Sequence, residues 1–285
     1  MKKIGENRIM RIGLLHSTIR AEEKLLIEAA QARNIELKLI DIRKEIFNPD
    51  TYQINFDLAL DRSVSTTKGM HAVRFFENLG VPTVNKYAVS SLCVDKFATS
   101  LVLQRNRIPV LKFALVFDKD RALEAIEQLG GFPVVLKPTH GSWGRLISKV
   151  NDQNALEAVL EHKQVLGSPQ HKAFYIQEYT EKPERDIRAS VIDGKTICAI
   201  YRNSSHWITN TALGAKATNC SVTKELTELC RRASEAIGGG VLAIDIFETE
   251  EGLKVNEINH TMEFKNSEKP TGVSISGAII DYCIK

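Results

Sequence analysis

The stretch Val241-Leu242-Ala243-Ile244-Asp245-Ile246-Phe247-Glu248-Thr249-Glu250-Glu251-Gly252-Leu253-Lys254-Val255-Asn256-Glu257-Ile258-Asn259 decides how this chain is read. Val241 to Phe247 and Leu253 to Ile258 read as two strands joined by the turn Glu248 to Gly252. Residues two apart in a strand face the same side, so Glu257 and Asn259 project together. If the strands pair antiparallel, Asp245 joins them. Two carboxylates and an amide oxygen are hard donors, a set that suits Mg²⁺, which takes few protein ligands and fills its other positions with phosphate and water. A hairpin with one solvated polar face is the plain alternative. An aspartate set among Ala, Ile and Phe favours the metal, because a buried carboxylate without a partner is costly.

Working outward, Pro133-Val134-Val135-Leu136 reads as a buried strand that delivers Lys137, and the turn Gly141-Ser142-Trp143-Gly144-Arg145 follows. A lysine at a strand end can hold phosphate oxygens as a fixed point charge, and glycines let backbone N–H groups come close to a phosphate. A surface lysine before an ordinary turn is the competing reading. Gln177-Glu178-Tyr179 closes another apolar strand and Asp186-Ile187-Arg188 follows; a strand edge of this kind can read an adenine rim and a ribose hydroxyl, or be structural. Arg202 follows a strand and can face a transferred phosphoryl group or a surface carboxylate. Lys96, taken alone, reads as a solvated helix lysine, and His206-Trp207 as packing. His16, His140 and His260 show no triad or metal-pair spacing.

The first third alternates strand and helix signals: strands at Ile12–Leu15, Leu37–Ile40, Leu58–Leu60 and Val81–Val84, and helices at Glu22–Ala32 and His71–Leu79. This order implies a parallel sheet with helices on its faces. Helices are also expected at Asp95–Gln104, Arg121–Leu129, from a cap at Asn151 to about Val165, and at Lys224–Ile237. Strands are expected at Ala173–Tyr179, Ile187–Ile192 and Thr196–Tyr201, with a loop from Arg202 to Asn219. At 285 residues the chain suggests two or three compact units. Its net charge of +3, with no basic stripe, does not call for nucleic acid but would help attract an acidic partner or a phosphate. The five cysteines, Cys93, Cys198, Cys220, Cys230 and Cys283, form no C-x-x-C pair, so neither a disulfide framework nor a zinc knuckle is expected and a reducing cytoplasm fits. No run approaches a membrane span and no signal peptide is expected, while residues 1–9 read as a tail.

Taken in order, Lys96, Val135-Leu136-Lys137-Pro138, the glycine turn, Gln177-Glu178-Tyr179, Asp186-Ile187-Arg188, Asp245 and Asn256-Glu257-Ile258-Asn259 resemble the ATP-grasp superfamily in its RimK-like branch, over nearly the whole chain from Met10. Gly141 to Leu146, His206-Trp207-Ile208-Thr209-Asn210-Thr211, and Asn259-His260-Thr261-Met262-Glu263-Phe264-Lys265-Asn266-Ser267 are similar to the members that attach an amino acid to the amino-group carrier protein LysW. The resemblance implies an α/β ATP-grasp fold: an N-terminal parallel-sheet domain (10–95), a small central lobe (96–175) and a C-terminal mixed-sheet lobe (176–285). It implies that Lys96, Lys137, Gly141, Ser142, Trp143, Gly144 and Arg145 hold ATP phosphates. Gln177, Glu178 and Tyr179 would hold adenine, with Asp186, Arg188 and Asn210 on the nucleotide side. Asp245, Glu257 and Asn259 would bind magnesium. Arg202 and Lys137 would be catalytic. Arg202, Asn210 and Thr211 would hold substrate or acyl phosphate, and Glu263, Phe264, Lys265, Asn266 and Ser267 would read the amino acid.

The reaction implied is ligation of an amine to the side-chain carboxylate of the C-terminal glutamate of LysW through an acyl phosphate, and no side-chain nucleophile is needed. Glutamate-specific relatives carry Gly-Phe where this chain has Asn266-Ser267, which points to L-α-aminoadipate and lysine biosynthesis. Glutamate ligation to LysW or to a ribosomal protein tail is the alternative within ligases, and a non-catalytic nucleotide-binding module the alternative outside them. A homo-oligomer, dimer or tetramer, is expected, as is closure of the Trp143 turn and the 202–219 loop over ATP.

Overall fold

A computed structural model describes residues 10–141, 145–209 and 214–285. The expected tail and the candidate site residues Ser142, Trp143, Gly144, Asn210 and Thr211 lie outside the described residues.

The first unit runs β1 (Arg11–His16), α1 (Ala21–Gln31), β2 (Glu36–Asp41), β3 (Leu58–Asp61), α2 (Thr66–Asn78) and β4 (Thr83–Val84). Its strands form an all-parallel sheet in the order β2-β1-β3-β4, as the alternating signals predict. Two helices, α3 (Tyr87–Val94) and α4 (Lys96–Arg105), lead to a second sheet built from β5 (Phe113–Val116), β6 (Val134–Lys137), β7 (Ser148–Val150) and β8 (Phe174–Glu178), in the order β5-β8-β6-β7. Helices α5 (Lys119–Leu129) and α6 (Gln153–Leu166) cover it through a core of Ala122, Ile126, Leu156, Leu160, Phe174 and Ile176.

The third sheet joins β9 (Arg185–Ile192), β10 (Lys195–Asn203), β11 (Lys216–Cys220), β12 (Val241–Thr249) and β13 (Gly252–Asn259) in the order β11-β10-β9-β12-β13. Both of its faces are buried, which is why Leu242-Ala243-Ile244 lacks alternation. One face packs on α7 (Lys224–Ile237) with Val89, Cys93 and Leu103 from α3 and α4. The other packs on Ile12, Leu14 and Leu26 of the first unit and on Ile275, Ile279 and Ile280 of α9 (Ile275–Cys283), which follows the short helix α8 (Glu268–Thr271). The N-terminal unit and the C-terminal sheet thus share one core.

Local chemistry moves several expected boundaries. Helix α2 begins at Thr66, not His71: the Ser65 hydroxyl caps Lys68 N at 3.4 Å. Gly69 lets this helix lie on β3, since a Cβ there would stand 2.5 Å from Asp61 Oδ2. The cap of α6 is Asp152, whose carboxylate accepts from Ala155 N, not Asn151. The 202–219 segment is not all loop. Arg202 and Asn203 stay in β10, and Lys216–Cys220 pairs with it as an edge strand. The strand expected at Val81–Val84 shrinks to Thr83–Val84. Among the described residues all five cysteines are free and buried, and no helix is long and apolar enough to cross a membrane.

Candidate active site

Where the three sheets converge lies a cavity of about 710 Å³, in the range of small-molecule sites. The first unit lines it with Arg20, Ser63 and Thr66, α3 with Tyr87, and the second sheet with Val135, Lys137, Gln177 and Glu178. The third sheet adds Asp186, Arg188, Arg202, Asp245, Asn256, Glu257 and Asn259.

Strands β12 and β13 are antiparallel, with Asp245 opposite Glu257 and Ala243 opposite Asn259. The structure therefore brings Asp245, Glu257 and Asn259 to one cavity wall. The register shifts between Asp245 and Ile246, whose partners are Glu257 and Val255, so Asn256 is the extra residue of a β-bulge. The bulge lets Asn256 line the cavity beside Glu257, which strict alternation forbids.

These acids face a set of cations. Arg188 grips Asp245 with both Nε (2.7 Å) and Nη2 (2.8 Å). Arg202 Nη2 reaches the same carboxylate at 3.1 Å, while Arg202 Nε and Nη2 each donate to Asp186 at 2.6 Å. Thr209 Oγ1 also donates to Asp186. Lys96 Nζ lies 3.0 Å from Glu257 and donates to the Gly141 carbonyl at 2.7 Å. Lys137 Nζ donates to Gln177 Oε1 at 2.6 Å and Asn256 Oδ1 at 2.9 Å. Burial opposes the Asp245 charge, but Arg188 and Arg202 outweigh it and hold its pKa below the ordinary carboxylate value. Burial likewise opposes the Arg202 charge and is overcome by Asp245 and Asp186, so its pKa is raised. Lys137 faces no carboxylate directly. Burial pushes its pKa down to about 8, against the pull of Glu257.

The donor set could hold a hard divalent cation. Asp245 and Glu257 supply anionic oxygens and Asn259 an amide oxygen on the same cavity lining; the Asn259 Nδ2 is buried with no hydrogen-bond partner among the described residues. Lys96, Lys137, Arg188 and Arg202 form a cationic wall suited to phosphate oxygens. Beyond them Leu111, Val135, Tyr179 and Phe247 line an apolar stretch of the cavity. There Glu178 accepts from Lys112 N at 2.9 Å and Lys149 Nζ stands 3.6 Å over the Tyr179 ring. Gly141 and Arg145 line the same cavity.

The 263–267 segment divides. Glu263 lines the cavity, and with Lys265, Asn266 and Ser267 it also lines a small adjoining cleft containing Arg188 and Arg202. Phe264, expected to read the substrate, is instead wholly buried in the core, with the Arg62 guanidinium 5.6 Å from its ring centroid. Its aromatic surface is satisfied by packing, so it supports the segment from behind. Trp207, expected to be simple packing, lines the cavity and meets the Tyr179 ring edge-on at 6.5 Å. Sequence reasoning gave no role to Asn256, Lys182, Thr209 and Arg20. Asn256 stood inside the quoted motif. Thr209 likewise stood inside the 206–211 motif, while Arg20 and Lys182 carried no local pattern that points to a site.

Comparison with known proteins identifies the family. The RimK-like ATP-grasp domain profile matches residues 93–283, and the LysX preATP-grasp domain profile matches residues 12–92. The chain is 36% identical over 266 residues to the alpha-aminoadipate–LysW ligase LysX of Saccharolobus solfataricus, covering 92% of this chain and 96% of that one. It is 32% identical over 276 residues to the glutamate–LysW ligase ArgX of Sulfolobus acidocaldarius, covering 96% and 98%. Among solved structures, a RimK domain ATP-grasp protein from Sphaerobacter thermophilus superposes with a TM-score of 0.81 at 29% identity, covering 96% of this chain and all (100%) of that one. The D-alanine–D-alanine ligase of Bacillus anthracis, at TM-score 0.69 and 19% identity, shares the fold. The chain belongs to the RimK-like ATP-grasp family of ATP-dependent ligases that form carbon–nitrogen bonds.

Proposed function

We propose that this enzyme joins the α-amine of L-α-aminoadipate to the γ-carboxylate of the C-terminal glutamate of the carrier protein LysW, using ATP and magnesium. The observation that carries the chemistry is the cross-strand pair Asp245–Glu257 set against Lys96, Lys137, Arg188 and Arg202 in one cavity. A carboxylate is a poor electrophile until it is phosphorylated. Transfer of a phosphoryl group to it depends on positioning and on neutralising charge rather than on a side-chain nucleophile.

Asp245, Glu257 and Asn259 would hold magnesium, which neutralises phosphate charge. Lys96, Lys137 and the turn at Gly141 and Arg145 would orient the ATP phosphates. The apolar stretch near Tyr179 would hold adenine, with Gln177 and Glu178 at its rim. Arg188 and Arg202 face the region where the γ-phosphoryl group passes to the carrier carboxylate. Guanidiniums fixed there by Asp186 and Asp245 can stabilise the developing acyl phosphate without reorganising. The amine then attacks the acyl carbon and inorganic phosphate leaves, forming an isopeptide bond.

Asn266 and Ser267 line the small cleft that adjoins the cavity beside Arg188 and Arg202. Asn266-Ser267 resembles the pair of aminoadipate-type members, an Asn followed by a small residue, and the S. solfataricus relative is named for that substrate. Relatives of similar identity are named for glutamate, so glutamate ligation to LysW is the second reading. Incubation with LysW, ATP and each amino acid, followed by intact-protein mass spectrometry, separates them. Consumption of glutamate alone rejects aminoadipate. ADP release that needs neither carrier nor amino acid rejects the ligase reading.

A further inference from the structure

On the wall of the same cavity, two opposite charges meet from different parts of the fold. Arg20 comes from the N-terminal unit and Glu263 from the segment after β13, and both line the cavity. Their contact is loose: Arg20 Nη1 lies 3.5 Å from Glu263 Oε1, well beyond the 2.7–2.9 Å of a full charge-assisted bond.

The two partners differ in how firmly they are held. The other edge of the Arg20 guanidinium is bound to Glu23, with Nε and Nη2 each 3.0 Å from its oxygens. Glu23 is fully buried and also takes Arg62 Nε at 3.2 Å, while Arg62 Nη1 donates to the Met262 carbonyl at 2.8 Å. Arg20 is therefore a fixed donor with one free edge. The Glu263 side chain is 34% exposed and has no other partner among the described residues. Burial works against the Arg20 charge, but the bond to Glu23 and the nearby Glu22 and Glu263 keep it protonated.

We propose that the free amino-acid substrate inserts between these two side chains, its α-carboxylate on Arg20 and its α-ammonium on Glu263. An α-amino acid carries adjacent positive and negative groups, the complement of this pair, and it replaces one weak contact with two stronger ones. Glu263 also lines the cleft that holds Arg188 and Arg202. An amine held there stands beside the arginines assigned to the acyl phosphate. The inference rests on the ligase reading above and adds Arg20 to it as a binding residue from the N-terminal unit.

The test uses the whole enzyme with a non-hydrolysable ATP analogue and magnesium. Calorimetry compares L-α-aminoadipate and L-glutamate with their α-carboxamides. A hydrogen-bonded charge pair implies that the wild type prefers each acid over its amide by about ten- to a hundred-fold. Arg20→Met should weaken acid binding by that factor, leave the amides nearly unchanged and bring the ratio close to one. Arg20→Lys should keep part of the preference. An unchanged acid-to-amide ratio in Arg20→Met overturns the proposal. So does a loss that appears in carrier or nucleotide affinity rather than in the amino acid. Turnover assays run in parallel separate the two levels: wild-type enzyme that binds the acids but never joins them to LysW rejects the ligase reading, while calorimetry still decides the role of Arg20.

Discussion

Lys137 is a buried cation whose hydrogen-bond partners among the described residues, Gln177 and Asn256, are neutral, and replacing it with methionine should make the ligand-free protein more stable while removing its activity. Burial brings its pKa from 10.5 down to about 8, so keeping it charged at neutral pH opposes folding by roughly 3 kcal/mol. Methionine of similar length relieves that term. It also removes the bonds to Gln177 and Asn256, but both oxygens border the cavity and can be hydrated, so the offset is about 1–2 kcal/mol. Net stabilisation of about 1–2 kcal/mol follows. The sign has a pH signature. As pH rises the folded protein releases this proton first, near 8, while the unfolded chain holds it to 10.5. In that window the unfolded state binds more protons, so wild-type stability gains on Lys137→Met as pH increases, and the advantage of the variant disappears by about pH 10. Urea unfolding of ligand-free protein at several pH values between 7 and 10 reads both effects. A Lys137→Met protein that is less stable at pH 7, with a pH-independent difference from wild type, refutes the argument. Turnover should fall by about 10²–10³, the usual effect of losing one preorganised group on a developing oxyanion.

Glu257→Gln should leave the fold intact and reduce turnover at least about 100-fold, since it removes one anionic oxygen from the magnesium set; near-normal rates measured across a magnesium titration would reject that assignment. Asp245→Asn leaves Arg188 and Arg202 facing a neutral amide and should destabilise the protein by about 3–5 kcal/mol at pH 7, read by urea unfolding. Because the Asp245 pKa is held low, that contribution is present at neutral pH and fades as pH falls below the ordinary carboxylate range. Asn266→Gly with Ser267→Phe should shift the ratio of kcat/KM values from α-aminoadipate toward glutamate by about tenfold or more; an unchanged ratio would place specificity elsewhere in the cavity.

Much of the frame was legible because it rests on periodicity and terminators. The β-α-β order, the strand that delivers Lys137, the three glycines that end α7 and the β12–β13 hairpin all follow from local pattern. So does the convergence of Asp245, Glu257 and Asn259, which needs only period-two alternation and an antiparallel pair. What escaped depends on distant parts of the chain. Asn256 lines the cavity because the ladder slips by one residue at Ile246, and no sequence rule places that bulge. The early first turn of α2, capped by Ser65, can rest on β3 because Gly69 lies against Asp61, a contact unseen until β3 and α2 are packed. Phe264 is expected to read substrate because the resemblance carries over the whole 263–267 segment, yet the shared core between the first and third sheets claims its ring. Arg20 meets Glu263 across 243 positions of chain, beyond the reach of any local pattern.

The pairing of Asp245 with Arg188 and Arg202, and of Glu257 with Lys96, has a thermodynamic corollary. On the proposed assignment, a magnesium ion arriving alone would have to compete with guanidinium and ammonium groups for its oxygens, and a bare triphosphate would have to draw those same groups off their carboxylates. Arriving together, metal and nucleotide exchange partners with the protein, anion to cation and cation to anion, so no buried charge is stranded at any stage. Affinity for either should therefore rise steeply with the concentration of the other.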